Sequence, residues 1–253
     1  MPQRFKLGRN RPIVRPPTLT LGNYLLRRLP PAPPSADYTA HAKPYLAEVY
    51  GNADAGDCTI AAALHIAATI LANSHESVSF TGAYALEVYK QLGGWNGIPN
   101  DPSDAGLGED TVLNYWSAHG FEGHYIAGFA QVHPDDIRPA IWLLENVYIA
   151  SLLPQKWIDD MSTMDNGFVW DVAGPGRQDA GHAYCALGYT PQGLIISTWG
   201  LLGTLTWAAV EKYAADCTYT VLSPDILDRA SQLSPEGANW TQLVSDLQSL
   251  GST

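Results

Sequence analysis

The chain has 253 residues, of which 46% are hydrophobic and 15% are charged, and its formal net charge is −11. This length and apolar content are typical of one large globular domain or of two lobes around a cleft. No run of about 20 apolar residues occurs, which argues against a membrane-spanning helix, and no apolar stretch follows the basic N-terminal residues as in a secretory signal. We therefore expect a cytoplasmic protein with no membrane partner.

The three cysteines, at positions 58, 185 and 217, are too few and too widely spaced for a disulfide framework. They favour a reducing compartment. The sequence contains neither a Cys-x-x-Cys pair nor a His-x-x-x-His cluster, so a zinc site is not expected. No cofactor is predicted.

Basic residues are concentrated at the N terminus. Residues 1–43 hold eight basic residues and one acidic residue (net +7), whereas the remainder holds six basic and 24 acidic residues (net −18). Residues 1–47 also hold nine of the eighteen prolines, a composition that favours extended backbone. We predict that residues 1–47 form an arm that docks on the acidic body or on a protein partner. The charge of the body argues against nucleic-acid binding.

Helices are predicted in the first half of the body, which we place at residues 48–232. Residues 58–73 are apolar almost all round, which indicates a buried central helix. Further helices are expected over residues 81–92 and 109–119. The glycine- and proline-rich loop between them, residues 93–108, is too long for a simple connection.

The second half of the chain changes to strand-like patterns. Strands are predicted near residues 125–132, 147–153, 183–189, 193–199, 204–207 and 218–222, with helices over 134–145 and 208–214. Helices first and strands second predict an α+β fold. Residues 233–253 are predicted to form an amphipathic C-terminal tail.

A thiol and an imidazole stand out as chemistry-bearing groups. Cys58 lies at the first turn of the apolar helix, where the helix dipole favours the thiolate. His182 enters a predicted strand far downstream. His65 lies on the same helix as Cys58, about 10 Å along its axis, and is therefore out of hydrogen-bond reach. The alternative for Cys58 is a buried, inert cysteine, which is the interpretation we favour for Cys185 and Cys217.

Five segments, in order, resemble the papain-like (C1-type) cysteine peptidases over roughly residues 48–222. They are Gly-Asp-Cys-Thr at 56–59, the segment 108–120, the helix and strand at 135–151, Gly-His-Ala through Gly-Tyr at 181–189, and Ile-Ser-Thr-Trp-Gly at 196–200. The chain also resembles uncharacterised papain-like proteins of bacteriophages and prophages. The resemblance implies a two-lobed fold, in which a central helix of the helical lobe carries Cys58 and an antiparallel β lobe carries His182.

The resemblance also implies catalytic roles. Cys58 would be the nucleophile and His182 the general base and acid. Asn52 stands where the family has the glutamine that helps to hold the oxyanion, although it is equally suited to a turn after Gly51. Ser197 stands where the family has the asparagine that orients the histidine.

Further site residues follow from the same alignment. The alternatives to Ser197 are Thr198 or a carboxylate, Asp171 or Asp179. Trp199 occupies the position of the indole that shields the histidine from water. Gly106 and Gly108 stand near the glycine pair that binds substrate backbone.

These features predict a thiol hydrolase that cleaves peptide or isopeptide bonds of a peptide or protein substrate through an acyl-enzyme on Cys58. The alternative is a catalytically impaired papain-fold module, such as a phage-particle or prophage accessory component associated with the virion. In a third hypothesis, the arm is a short inhibitory prosegment that lies in the cleft.

Overall fold

The structure is a computed structural model that describes residues 5–10, 19–27, 29–214, 218–234 and 236–250, the last without the side chain of Leu250. Cys217, interpreted above as a core residue, lies outside these ranges. Cys185 is fully buried in the core, as expected.

The helical half is built around one buried helix. Its helices are α1 (Lys43–Leu46), α2 (Cys58–Asn73), α3 (Gly82–Gly93) and α4 (Glu109–His119). Fifteen of the sixteen residues of α2 are buried, which explains why its sequence has no polar face. Thr81 caps α3 by accepting a hydrogen bond from the amide of Tyr84. The predicted helices of the first half are therefore present, and α2 has the predicted bounds.

The second half contributes most of a mixed sheet. Its strands, with two short ones from the arm, are β1 (Leu19–Thr20), β2 (Ala36–Asp37), β3 (Gly128–Gln131), β4 (Val147–Pro154), β5 (Phe168–Trp170), β6 (Gly176–Tyr189), β7 (Gly193–Thr198), β8 (Leu201–Thr206) and β9 (Thr218–Leu222). The strand order is β1-β3-β9-β4-β6-β7-β8-β5, and β2 pairs with β6. The neighbours of β6 and β7 are antiparallel. This arrangement agrees with the predicted antiparallel lobe.

Further helices lie between and after the strands of the second half. They are α5 (Ile137–Leu144), α6 (Gln155–Asp160), α7 (Trp207–Tyr213), α8 (Pro224–Leu233) and α9 (Trp240–Leu250). The sequence analysis did not predict α6, α8 or β5. The start of α8 carries a clear signal, because Ser223 caps it and Pro224 occupies its first turn. Among the described helices, none has the length and apolar character needed to cross a membrane.

Packing of α2 against β6 positions the site. The two elements pack against each other, and the N-terminal end of α2 meets the middle of β6. Cys58 begins α2 and His182 lies on β6, so the fold brings the two residues together although 124 positions separate them.

The described parts of the N-terminal arm lie on the body. β1 pairs in parallel with β3, and β2 pairs antiparallel with β6. Residues 5–10 contact both halves of the molecule, through Asn52 and Leu107 on one side and Gly181 on the other. The arm was expected to dock either on the acidic body or on a protein partner. The contacts described here are with the body of the same chain.

Candidate active site

Cys58 is the first residue of α2 and is buried. Its Sγ accepts a hydrogen bond from the backbone N–H of Ala183 at 3.4 Å, so the thiol lies against the residue that follows His182. Burial raises the pKa of the Cys58 thiol to about 12, although the amides of Ala183 and Gly8 favour the thiolate. In this closed structure, burial outweighs the helix terminus, and the thiol is protonated at neutral pH.

His182, the residue before Ala183, is fully buried. Its ring stacks on Trp199 with a centroid distance of 4.1 Å and an interplanar angle of 21°. Its Nδ1 has no hydrogen-bond partner among the described residues. Burial lowers the pKa of His182 to about 3, so the imidazole is neutral. Nδ1 is thus the nitrogen left free for proton transfer.

Thr198, not Ser197, contacts the imidazole. The Thr198 Oγ1 lies 2.7 Å from Nε2 of His182. Ser197 points to the opposite face of β7, where its Oγ lies 3.4 Å from Nδ1 of His65. Successive residues of a strand face opposite sides of the sheet. Ser197 and Thr198 are adjacent in β7, so their hydroxyls lie on opposite faces. Among the alternatives considered for orienting His182, the geometry therefore favours Thr198.

The two candidate carboxylates lie elsewhere. Asp171 accepts hydrogen bonds from the Thr206 hydroxyl and the Val172 amide. Asp179 forms an exposed ion pair with Arg177. Both carboxylates are thus engaged outside the Cys58–His182 pair.

Asn52 is buried within the turn that precedes α2. Its Nδ2 donates to the carbonyl of Ala55 at 3.1 Å, and its own carbonyl accepts from the amide of Lys6 at 3.0 Å. This is the turn role that the sequence analysis left open beside the oxyanion role.

The glycine pair brackets a peptide-binding residue. Leu107, between Gly106 and Gly108, donates its N–H to the carbonyl of Gly8 and accepts at its C=O from the amide of Asn10, both at 2.8 Å. Gly106 adopts φ +76°, and a Cβ there would lie 1.7 Å from the carbonyl oxygen of Gly8. Gly108 caps the start of α4.

The peptide bound at this place is the chain's own arm. Phe5 stacks on Trp199 at 5.2 Å, and the Trp199 Nε1–H donates to the carbonyl of Lys6 at 3.1 Å. The amide of Arg9 donates to the carbonyl of Gly181 at 3.1 Å. Residues 5–10 therefore run between the helical and β halves, directly over Cys58.

The arm passes through a narrow passage. A Cβ on Gly8 would lie 1.7 Å from the carbonyl oxygen of Gly56, and a Cβ on Gly181 would lie 2.3 Å from that of Arg9. Together with the contact of Gly106, these contacts define a glycine slot (Gly56, Gly106 and Gly181) through which Gly8 and Arg9 of the arm pass. Only backbone fits at this point of the cleft.

Two acidic residues are buried near the slot. The Oε1 of Glu109 accepts from Nε of Arg9 at 3.0 Å, and burial raises the pKa of Glu109 to about 7 even though Arg9 lowers it. Burial also raises the pKa of Asp57 well above its usual range. The Asp57 side chain forms no cap hydrogen bond to α2, although it stands at the N-cap position.

Leu107 and Glu109 were not singled out from the sequence. Leu107 acts through its backbone, and a backbone role leaves no side-chain signal. Glu109 could have been found by asking which buried carboxylate would pair with the basic arm. Among the described residues, no group of three or more His, Cys, Asp or Glu is arranged to hold a metal ion.

Compared by sequence, the chain matches no protein-family model and no curated protein. Compared by structure, it is similar to xylellain, a cysteine protease from Xylella fastidiosa, with a TM-score of 0.65 and 12% identity over 87% of this chain and 97% of that chain. It is also similar to the digestive procathepsin L2 proteinase from the Tenebrio molitor larval midgut (TM-score 0.58, 12% identity, 87% of this chain and 79% of that chain).

A third similar structure is the Carica candamarcensis cysteine protease CMS1MS2 in complex with E-64 (TM-score 0.50, 12% identity, 76% of this chain and 99% of that chain). At this level of identity the likeness concerns the fold, and the chemistry has to be argued from the residues themselves. The predicted architecture is thereby confirmed: this chain has the α+β fold of the papain-like cysteine proteases.

Proposed function

We propose that the protein is a papain-like cysteine peptidase whose own N-terminal arm holds it in a latent state. One observation carries the proposal: the thiol of Cys58, at the start of a buried helix, lies 3.4 Å from the amide nitrogen next to His182. Nucleophilic catalysis by cysteine requires an imidazole close to the thiol, and the packing of α2 on β6 brings Cys58 to the residue next to His182.

Each residue of the site has a role in this chemistry. Nδ1 of His182 takes the thiol proton and later delivers it to the leaving amine, while Thr198 holds Nε2. The thiolate attacks the substrate carbonyl, and the backbone N–H of Cys58 stabilises the oxyanion. The amide of Asn52 would join it once the turn that it closes has moved. Water then hydrolyses the acyl-enzyme.

Latency follows from burial. With the arm in place, the thiol and the imidazole are both neutral at pH 7, since each ion would be deprived of water. Departure of residues 5–10 would return water to the pair and make the thiolate–imidazolium form accessible. This is the inhibitory-prosegment hypothesis applied to six residues of the arm.

The second candidate is a papain-fold binding module without catalysis, for example a component of a phage particle or a prophage. The hydrogen bond from Asn52 to Ala55 favours it, because a committed oxyanion donor would be expected to keep its amide free. The covered thiol is compatible with either candidate.

E-64, the ligand of the Carica protease structure, provides the test. The full-length protein and its Gly8→Ala, Cys58→Ala and His182→Ala variants are treated with E-64, and the labelled residue is identified by mass spectrometry. Gly8→Ala is expected to label at Cys58 at least about 10-fold faster than wild type, because its Cβ cannot pass Gly56. Adding His182→Ala to Gly8→Ala should slow labelling by about 10²-fold or more.

The matched control is Gly82→Ala, where the new Cβ meets nothing closer than 3.4 Å and labelling should equal that of wild type. Iodoacetamide alkylation, run in parallel, reports exposure of the thiol without requiring His182, because an exposed thiol of ordinary pKa already forms some thiolate. Suppose that Gly8→Ala exposes Cys58 to iodoacetamide but that the rate of E-64 labelling is unchanged by His182→Ala. The peptidase proposal then fails, and the binding module remains.

A further inference from the structure

The arm shows how the cleft holds an extended peptide. Leu107 and Gly181 bind the backbone of residues 8–10 through three hydrogen bonds. Backbone contacts of this kind carry no sequence information. Selectivity for particular peptides must therefore come from the parts of the cleft that contact the peptide side chains.

Arg9 is the charged residue of segment 5–10 whose side chain is buried in the body. The side chains of Arg9 and Glu109 are 5% and 0% exposed, and their ion pair is therefore shielded from water. A buried carboxylate that loses its partner is strongly disfavoured. The second oxygen of Glu109, Oε2, has no hydrogen-bond partner among the described residues, which leaves acceptor capacity for another N–H. A guanidinium, with its several donors, matches this pocket.

The position before Arg9 is restricted by shape. Gly8 lies in the glycine slot, where any side chain on the peptide would collide with the carbonyl of Gly56. A peptide that takes the path of the arm therefore needs glycine at this point. The two restrictions act on adjacent residues.

We propose that the cleft selects extended peptides that contain a glycine followed by an arginine, and that Glu109 is the residue that determines this specificity. The inference rests on the proposed function in that the same cleft would receive the substrate. The inference extends the proposed function by naming a substrate class, namely basic peptides that contain the sequence Gly-Arg. Residues 5–10 of the arm would then be the protein's own occupant of the site.

Peptide binding tests the proposal without requiring catalysis. The full-length protein with Cys58→Ala and Gly8→Ala is titrated into a fluorescein-labelled peptide of the sequence Phe-Lys-Leu-Gly-Arg-Asn, and anisotropy is measured. A second peptide carries citrulline, the neutral isostere of arginine. The arginine peptide should bind at least about 10-fold more tightly, and Glu109→Gln should reduce this difference to less than about threefold.

Equal affinities for the two peptides, absence of binding, or a preference that survives Glu109→Gln would each overturn the proposal. A peptide with alanine in place of glycine should bind at least about 10-fold more weakly, and equal binding would remove the glycine requirement. Because Cys58 is absent from these proteins, failure of the peptidase proposal would leave the result unchanged.

A second measurement uses the native Gly8 and the native thiol. Arg9→Gln should speed iodoacetamide alkylation of Cys58 by at least about 10-fold, because the arm loses its buried anchor. Lys6→Gln removes one arm charge of the same sign from an exposed contact with Asn100, and should change the rate by less than about threefold. Equal effects of the two substitutions would count against a special role for the Glu109 pocket.

Discussion

At the scale of single residues, the orientation of His182 depends on a hydroxyl. Thr198 is buried, and its Oγ1 is the hydrogen-bond partner of Nε2. A hydroxyl can rotate, but a β-branched side chain in a strand has few rotamers, so packing compensates for this freedom. The hydroxyl of Ser197 is instead directed at His65.

We predict that Thr198→Val, made in the Gly8→Ala protein, lowers the rate of E-64 labelling about 10-fold. Loss of one buried hydrogen bond costs about 1–2 kcal/mol, which corresponds to roughly that factor. Thr198→Ser should restore most of the rate, because it returns the hydroxyl. Ser197→Ala should leave the rate within about threefold of the parent. A loss caused by Ser197→Ala alone would contradict the assignment.

Much of the residue-level site could be predicted, and the misses have physical causes. Cys58 and His182 follow from motif order, because a helix start and a strand each leave a local signal. The choice between Ser197 and Thr198 depends on register, and the positive φ of Trp199 (51°) marks the turn where the register is set. The role of Glu109 as the partner of Arg9 could not be predicted, because the two residues are 100 positions apart in the sequence and meet only in the folded chain.

At the scale of elements, α2 is tied to its surroundings by a second buried histidine. Nε2 of His65 lies 2.9 Å from the carbonyl of Glu48, and Nδ1 faces Ser197. The bond to a carbonyl requires the N–H on Nε2, and Nδ1 then accepts from the serine. Burial lowers the pKa of His65 to about 4, so the folded protein holds it neutral. His65 thus links the turn before α2, the helix itself and β7.

This link has a predictable pH dependence. Between its unfolded pKa of about 6.5 and its folded pKa of about 4, His65 binds a proton only when the chain is unfolded. The stability that it contributes is therefore complete above about pH 6.5 and is lost as the pH falls towards 4. The loss approaches about 1.4 kcal/mol per pH unit.

His65→Gln, which keeps a donor for Glu48 but does not titrate, isolates the effect. Urea unfolding at pH 7 and pH 5 should show that the wild type loses more stability than the variant, so that the difference between them shrinks. The comparison cancels other buried groups, including Asp57 and Glu109. A constant difference at both pH values would mean that His65 does not titrate in this way.

The bounds of helices and strands could be predicted where the local sequence marks the ends of the element. The bounds of α2 and β9 coincide with those expected. The largely apolar run of α2 ends at Asn73, and the β-branched and aromatic residues of β9 are followed by Ser223 and Pro224. β6 begins at Gly176, well before the predicted start, since residues 177–179 are exposed and polar and the start of the strand is fixed by pairing of Gly176 with Pro154 of β4. Such pairing depends on distant sequence and leaves little trace in local composition.

At the scale of the whole molecule, the arm behaves as a ligand joined covalently to its binding site. A tethered ligand has a high effective concentration, so modest contacts suffice to keep the cleft closed. The opposite charges of arm and body act in the same direction. Glycines lie on both sides of the contact between arm and cleft, Gly8 on the arm and Gly181 on the wall of the cleft. Substitution of either glycine should release the arm. Only the substitution in the wall should also narrow the cleft.

The last prediction exploits this asymmetry. Gly8→Ala alters the occupant and leaves the slot intact, whereas Gly181→Ala alters the wall, where the new Cβ would meet the carbonyl of Arg9 at 2.3 Å. Gly181 does not have a positive φ, so the substitution acts through space rather than through backbone strain. Both variants should release the arm and speed iodoacetamide alkylation of Cys58 by at least about 10-fold.

Peptide binding should separate the two variants. In the Cys58→Ala background, the Phe-Lys-Leu-Gly-Arg-Asn peptide should bind to Gly8→Ala but at least about 10-fold more weakly to Gly181→Ala, because the narrowed wall excludes any backbone that takes the path of the arm. Gly82→Ala added to Gly8→Ala serves as the control with an open cleft of unchanged width. Equal binding to both variants would show that an external peptide takes another path, and the arm would then be a plug rather than a mimic of the substrate.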